Sequence, residues 1–163
     1  MKRMLATVLL LVAAIAAPPL LAQAMPADGM TLDQLRAAVR ADKRGLVAAT
    51  MVLTPAEAKK FWPIYDAYQR DLDLANQRKN RAIEDFVMKD KPLTALYAKQ
   101  LTAELIAADE FEIKARRSAY NKMMRRLPPP ALPARKVARY FHLEAKIRAM
   151  QDIDIANGIP LVK

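Results

Sequence analysis

Very few residues of this chain have side chains suited to covalent chemistry. Ser118 is its single serine, His142 is its single histidine, and it has no cysteine. Ser118 lies between Arg117 and Ala119 in a predicted helix, without the glycine-flanked turn that presents a nucleophilic serine. With one histidine, a Ser–His or Cys–His pair has no local support. The sequence therefore predicts a protein that is not an enzyme.

Metal binding has equally little support in the sequence. Zinc and copper prefer several histidine or cysteine ligands, whereas His142 with Glu144 and Met150 supplies one imidazole. The nine methionines form no M-x-M array, and the pair Met123 and Met124 is more typical of core packing. We therefore expect no metal ion and no cofactor.

The distribution of charge points to binding instead. Residues 114–148 contain eleven lysines or arginines and one acid, Glu144. This excess of ten positive charges equals the formal net charge of the whole chain, +10. Because this excess is local, it predicts a basic surface for an acidic polypeptide or an anionic membrane. The alternative is an ordinary solvated helix face. The cations follow no known nucleic-acid-binding motif, so no nucleic-acid partner is predicted.

An aromatic group adds a second feature to the predicted partner surface. It consists of Phe61, Trp62, Tyr65 and Tyr68. It has two interpretations: a core cluster, or an exposed apolar strip that binds polypeptide or a second copy of the chain. The complete candidate surface consists of Phe61, Trp62, Tyr65, Tyr68, Arg116, Arg117, Arg125, Arg126, Arg135, Lys136 and Arg139.

Helices are the elements that must position these residues. Glycine is scarce, and alanine and leucine are plentiful, which is typical of an all-α fold. Apolar residues at helical spacing predict four helices, over residues 31–50, 55–88, 94–126 and 133–157. The short link between the second and third helices favours a long antiparallel hairpin. The proline-rich segment Leu127–Pro133 predicts a stiff corner before the fourth helix.

The strongest local signal is "LTPAE", which opens the second helix at Leu53 and Thr54. Thr54 is the predicted N-cap, Pro55 takes the first helical position, and Glu57 reaches back to the cap N–H. Pro63 then removes a backbone hydrogen bond inside the same helix. Either the helix is kinked there or a second helix starts. We predict a kink, because the aromatic spacing stays in register across the proline.

The N-terminus has the pattern of an export signal. Two basic residues precede an apolar run that ends in the small-x-small sequence Ala22–Ala24. We therefore predict a signal peptide over residues 1–24, cleaved after Ala24, and a single helical domain over residues 25–163 in the periplasm. The alternative is an uncleaved membrane anchor, although two adjacent prolines break the run near its end.

Two segments resemble a known family. "LTPAE" and "LPARKVARYFHLEAKIRAM", in an exported helical layout, are similar to the LTxxQ-motif proteins of the bacterial envelope. This family includes the Spy/CpxP-like periplasmic chaperones, and "FWPIYDAYQ" resembles a divergent subgroup of them. Glu57 stands where the motif has Gln, and the second motif appears only as "LPARK", from Leu132 to Lys136.

The resemblance implies a cradle-shaped homodimer that acts without ATP. Such relatives bind unfolded clients through a basic, partly apolar concave face. We therefore expect a periplasmic chaperone or envelope-stress protein. The alternatives are a regulatory or sensor subunit that docks on an envelope membrane protein, and a structural protein whose basic face meets anionic lipid.

Overall fold

A computed structural model describes residues 26–88, 93–126 and 132–158, and four helices account for most of them. The helices are α1 (Leu32–Met51), α2 (Pro55–Val87), α3 (Ala95–Arg126) and α4 (Ala134–Gly158). The predicted all-α fold is confirmed, and every predicted helix end lies within one residue of the observed one. Within these described ranges, no helix is long and apolar enough to cross a membrane.

Some predictions fall outside the described ranges. They are the signal peptide over residues 1–24, its cleavage after Ala24, and residues 127–131 of the proline corner. The cradle-shaped homodimer stays a prediction, because the structure contains one chain.

The start of α2 has the predicted geometry. The Thr54 hydroxyl accepts a hydrogen bond from the Glu57 backbone N–H at 3.3 Å. The Glu57 carboxylate accepts one from the Thr54 N–H at 2.7 Å, which completes the capping box. Leu53 is half-buried against the core. The same reciprocal arrangement of Thr31 and Gln34 opens α1.

Helix α2 is continuous through Pro63. This proline is exposed, and α2 extends without a break from Pro55 to Val87. The alternative of a second helix start at Pro63 is therefore wrong, whereas the kink stays a prediction. A break that the sequence did not predict occurs in α1, where Asp42 has non-helical angles (φ −160°, ψ 90°). Its carboxylate accepts a hydrogen bond from the Gly45 N–H at 2.8 Å, as an N-cap does.

The helices pack in two antiparallel pairs around one core. α2 and α3 form the predicted antiparallel hairpin and have the most extensive contact of any two helices in the described residues. Small buried residues on α3, Ala108, Ala115 and Ala119, permit this contact. α1 packs antiparallel to α4, as the ion pairs Arg36–Asp154 and Lys43–Glu144 indicate. All four helices contribute to a single hydrophobic cluster.

The aromatic group of α2 belongs to this core. Phe61, Tyr65 and Tyr68 are buried, and each lies edge-on to Tyr140 of α4, with ring centroids 5.1, 5.9 and 6.5 Å away. The interpretation as an exposed strip is therefore wrong for these three residues. They are buried because Tyr140 packs against the face of α2 that carries them. Trp62 is half-buried at the edge of the cluster.

Candidate functional site

The predicted surface cations fall into two groups with different surroundings. The first group is already paired within the chain. Lys136 Nζ donates to the Val52 carbonyl oxygen at 2.8 Å and to the Glu57 carboxylate at 2.7 Å. Arg139 pairs with Asp28. These cations therefore hold α4 against the α1–α2 turn and the segment before α1, which leaves less of their charge for an external partner.

Arg116 also belongs to the paired group. Its guanidinium donates to the Glu112 carboxylate at 2.9 Å, and Arg148 of α4 pairs with the same carboxylate. Glu112 is buried and occupies the gap between Ala108 and Ala115 in the apolar stripe of α3. Sequence reasoning missed this residue, although the gap in the stripe was a usable signal.

A second buried carboxylate joins three helices. Glu144 of α4 accepts hydrogen bonds from Lys43 of α1 at 3.0 Å and from Gln69 of α2 at 3.1 Å. A small cavity of about 110 Å³ adjoins these groups and also borders Tyr68. Burial raises the pKa of Tyr68 to about 12. Because Glu144 is satisfied from both sides, we interpret this network as structural.

A second group of cations, on one side of α3, has no ion-pair partner among the described residues. We call it the basic strip and define it as Lys114, Arg117, Lys122 and Arg125. None of the four forms an ion pair with any residue that the structure describes. Lys114, Arg117 and Arg125 are exposed, and Lys122 is half-buried. Their spacing places them on one helix face, and with Ser118 and Asn121 they border a shallow depression.

The basic strip changes the composition of the predicted surface. Arg117 and Arg125 belong to it as predicted, whereas Lys114 and Lys122 were missed despite their helical spacing. Arg135 is exposed at the start of α4, and the Arg126 side chain lies outside the described atoms. Trp62 is covered in part by Arg44, whose guanidinium carbon lies 4.2 Å from the ring centroid.

An open apolar groove lies on the opposite side of α3 from the basic strip. It has a volume of about 840 Å³ and runs between α3 and α4 over the end of α2. Its apolar lining consists of Ile83, Phe86, Leu101, Leu105, Ile113, Ala145, Ala149, Ile155 and Ala156. The groove exists because α3 and α4 contact each other over a much shorter stretch than α2 and α3 do. The sequence did not predict it.

The charged residues of the groove neutralise one another. Lys79 pairs with Asp109 at 2.7 Å, and Arg148 lies 3.4 Å from Asp152 as well as against Glu112. Each acid that lines the groove therefore has a cation of this chain beside it. The lining can offer an apolar surface with little net charge, whereas the opposite side of α3 has strong positive charge.

The described residues include no group of three or more histidine and carboxylate side chains that could hold a metal ion. His142, the residue considered for weak metal binding, is exposed on α4. Comparisons with protein-family models, with characterised proteins and with solved structures found no match to this chain. The basic strip and the apolar groove are therefore the candidate functional surfaces of this chain.

Proposed function

We propose that this chain is an ATP-independent chaperone or envelope-stress protein of the periplasm, which binds unfolded polypeptide. One observation carries the proposal: one side of α3 borders an open apolar groove, and the opposite side carries a strip of cations that have no ion-pair partner among the described residues. Unfolded chains expose both apolar side chains and charge. A helix with one feature on each side can attract such chains and then hold them.

The basic strip suits the first step, which is capture. Its cations extend over about 16 Å of helix from Lys114 to Arg125. At low salt the field of such a strip reaches well beyond contact distance, because the Debye length is about 30 Å at 0.01 M and about 8 Å at physiological ionic strength. Attraction of this range accelerates encounter with acidic segments without selecting one sequence.

The apolar groove suits the second step, which is retention. Its aliphatic and alanine lining makes dispersed contacts that require no defined client fold. Binding and release then depend only on affinity, so no nucleotide is needed. The resemblance to the LTxxQ-motif proteins supports the same function, and the periplasmic location rests on the predicted export signal.

Suppression of aggregation tests this function. The purified protein should prevent aggregation of several unfolding acidic clients at near-stoichiometric ratio, most effectively at low salt. The double variant Arg117→Glu/Arg125→Glu should slow capture several-fold. Lys59→Glu/Lys60→Glu is the matched control, because both lysines are exposed on α2 and the change in net charge is identical. Failure to suppress aggregation of any client at low salt would refute the proposal.

A second candidate is a sensor or regulatory subunit that docks on an acidic domain of an envelope membrane protein. The observation that favours it is the fixed spacing of the basic strip on one rigid helix, which suits one complementary surface. Affinity capture from membranes separates the two functions. A docking subunit should recover one dominant partner, whereas a chaperone should recover many.

The remaining partner predictions also need experiments. Sedimentation equilibrium tests the homodimer. Co-sedimentation with anionic and neutral vesicles tests the membrane surface, and equal recovery with both vesicle types would count against it.

A further inference from the structure

Helix α1 consists of two short helices that meet at a sharp bend. The Ala27 backbone N–H donates a buried hydrogen bond to the Thr50 hydroxyl at 2.9 Å. A straight helix would separate the Cα atoms of Thr31 and Thr50 by about 28 Å, whereas the four residues from Ala27 to Thr31 span at most about 14 Å. The chain must therefore turn back inside α1, and Asp42 is the residue there with non-helical angles.

The two parts of α1 are anchored unequally. We call residues 26–41 the strap, and its buried apolar side chains are Ala27 and Leu35, at 7% and 5% exposed. Its other core contacts come from partly buried side chains, Met30, Ala38 and Val39. After the bend, residues 43–51 bury side chains to 3% exposure or less: Leu46, Val47, Thr50 and Met51. Because local stability follows buried contacts, the strap is the part of α1 that opens more readily.

The ion pairs that hold the strap lie at the surface. Arg36 pairs with Asp154 of α4 at 2.9 Å, and Asp28 pairs with Arg139. The Asp154 side chain is 40% exposed, and both partners of the second pair are more exposed than that, so salt weakens each tie. Arg36 also pairs with Asp33 of the strap itself, so its charge keeps a partner when the strap lifts.

The strap covers an apolar patch on α4, which we define as Ile147 and Met150. These two residues precede Asp154 by seven and four positions, so they lie on the face of α4 that Arg36 reaches. Leu35, next to Arg36, belongs to the same hydrophobic cluster as the patch. The patch is 1% and 3% exposed beneath the closed strap, and lifting the strap uncovers it.

We propose that the strap opens at Asp42 and exposes the apolar patch of α4 as a further binding surface for apolar segments of unfolded polypeptide. The identity of this ligand rests on the proposed function, whereas the opening is independent of it. Higher salt weakens both ion pairs of the strap and favours the open state. Capture by the basic strip has the opposite salt dependence, so the two surfaces can be distinguished.

Hydrogen exchange of the full chain tests the opening. Backbone amides of residues 36–41 should be protected at least about tenfold less than those of residues 47–51, and added salt should widen the difference. Arg36→Met should speed exchange of the strap several-fold at low salt. Arg40→Met is the control, because Arg40 is exposed in the same strap and forms no ion pair with a described residue. Equal protection of the two parts of α1 would overturn the proposal.

A disulfide lock tests the consequence for binding, because the parent chain has no cysteine. The hydrogen bond between Ala27 and Thr50 keeps their Cα atoms within about 7 Å, a distance that a disulfide can span. Oxidation of Ala27→Cys/Thr50→Cys then ties down the free end of the strap. The reduced form of the same protein is the matched control, since both forms carry the same substitutions.

Two probes compare the oxidised and reduced forms at the same salt concentration: the uncharged apolar dye Nile red and a permanently unfolded, carboxymethylated polypeptide. The oxidised form should bind both probes at least about twofold more weakly, because its patch stays covered. Equal binding of both probes by the two forms would refute the proposal. Loss of dye binding on oxidation, in a protein that binds no unfolded polypeptide in either form, would support the opening strap and refute the proposed function.

Discussion

Helix α4 and the outer face of α3 share one basic segment of the sequence but differ in what their cations contact. On α4, Lys136, Arg139 and Arg148 pair with carboxylates of the same chain. On α3, the four cations of the basic strip have no such partner among the described residues. A local excess of charge along a sequence can therefore contain both a structural and a binding component.

The largest expected effect lies in the core beneath α4. Tyr140→Ala should lower the free energy of unfolding by about 3–5 kcal/mol, as large aromatic truncations do in cores. Tyr140 is fully buried and contacts the aromatic side chains of α2. Tyr120→Ala is the control on α3, where the ring is 47% exposed. Denaturant unfolding of both variants measures the contrast, and equal losses would break it.

The next largest expected effect on stability comes from Arg148, the paired cation at the groove wall. Arg148→Met should cost about 3 kcal/mol, because it removes one of the two cations beside the buried Glu112 carboxylate. Arg117→Met on the basic strip should change the free energy of unfolding by less than about 0.5 kcal/mol. The same unfolding experiment compares them. A loss for Arg117→Met as large as that for Arg148→Met would show that the strip is structural.

Acid should weaken the Lys136–Glu57 ion pair and spare the basic strip. The hydrogen bonds from Lys136 and from the Thr54 N–H hold the pKa of Glu57 below its usual 4.5. Its stabilising contribution is therefore complete above pH 4.5 and is lost as the pH falls through the lowered folded-state pKa. Denaturant unfolding across this range should show declining stability, with a shallower decline in Glu57→Gln. The variant Arg117→Glu/Arg125→Glu leaves the Glu57 contacts intact. Its free energy of unfolding should therefore decline with falling pH more steeply than that of Glu57→Gln, and closer to the decline of the parent.

Charge reversal on the basic strip should have the smallest effect on stability and a clear effect on binding. Arg117→Glu/Arg125→Glu should leave the free energy of unfolding within about 0.5 kcal/mol of the parent, since neither side chain forms an ion pair with a described residue. Capture of an acidic client should nevertheless slow several-fold at low salt, and less at high salt. Stopped-flow fluorescence with a labelled client measures this. Slowing that does not depend on salt would contradict an electrostatic role.

Local signals explain which parts of the fold could be predicted from the sequence. The capping box of Thr54 and Glu57 involves residues three apart, and the apolar stripes repeat within each helix. Helix bounds, the hairpin and the basic character of α3 follow from such patterns. The bend at Asp42 escaped prediction, because an aspartate inside a helix is more often a solvated residue.

Contacts between distant helices explain the rest. Lys136 reaches Glu57 across 79 residues of sequence, so no local pattern separates it from the unpaired Arg117. The burial of Phe61 depends on Tyr140 in another helix, and the groove depends on where α3 and α4 diverge. The helical spacing of Lys114 and Lys122 could be recognised in the sequence. Their lack of partners among the described residues is visible only in the packed structure.

The central claim is that clients bind along the groove and the basic strip of α3 while the aromatic core under α4 stays closed. Amide chemical-shift mapping by NMR, with and without an acidic unfolded client, tests it most directly. We expect perturbations concentrated in residues 101–125 of α3 and 145–156 of α4. Perturbations concentrated instead around Phe61, Tyr65 and Tyr68, with α3 unchanged, would contradict it.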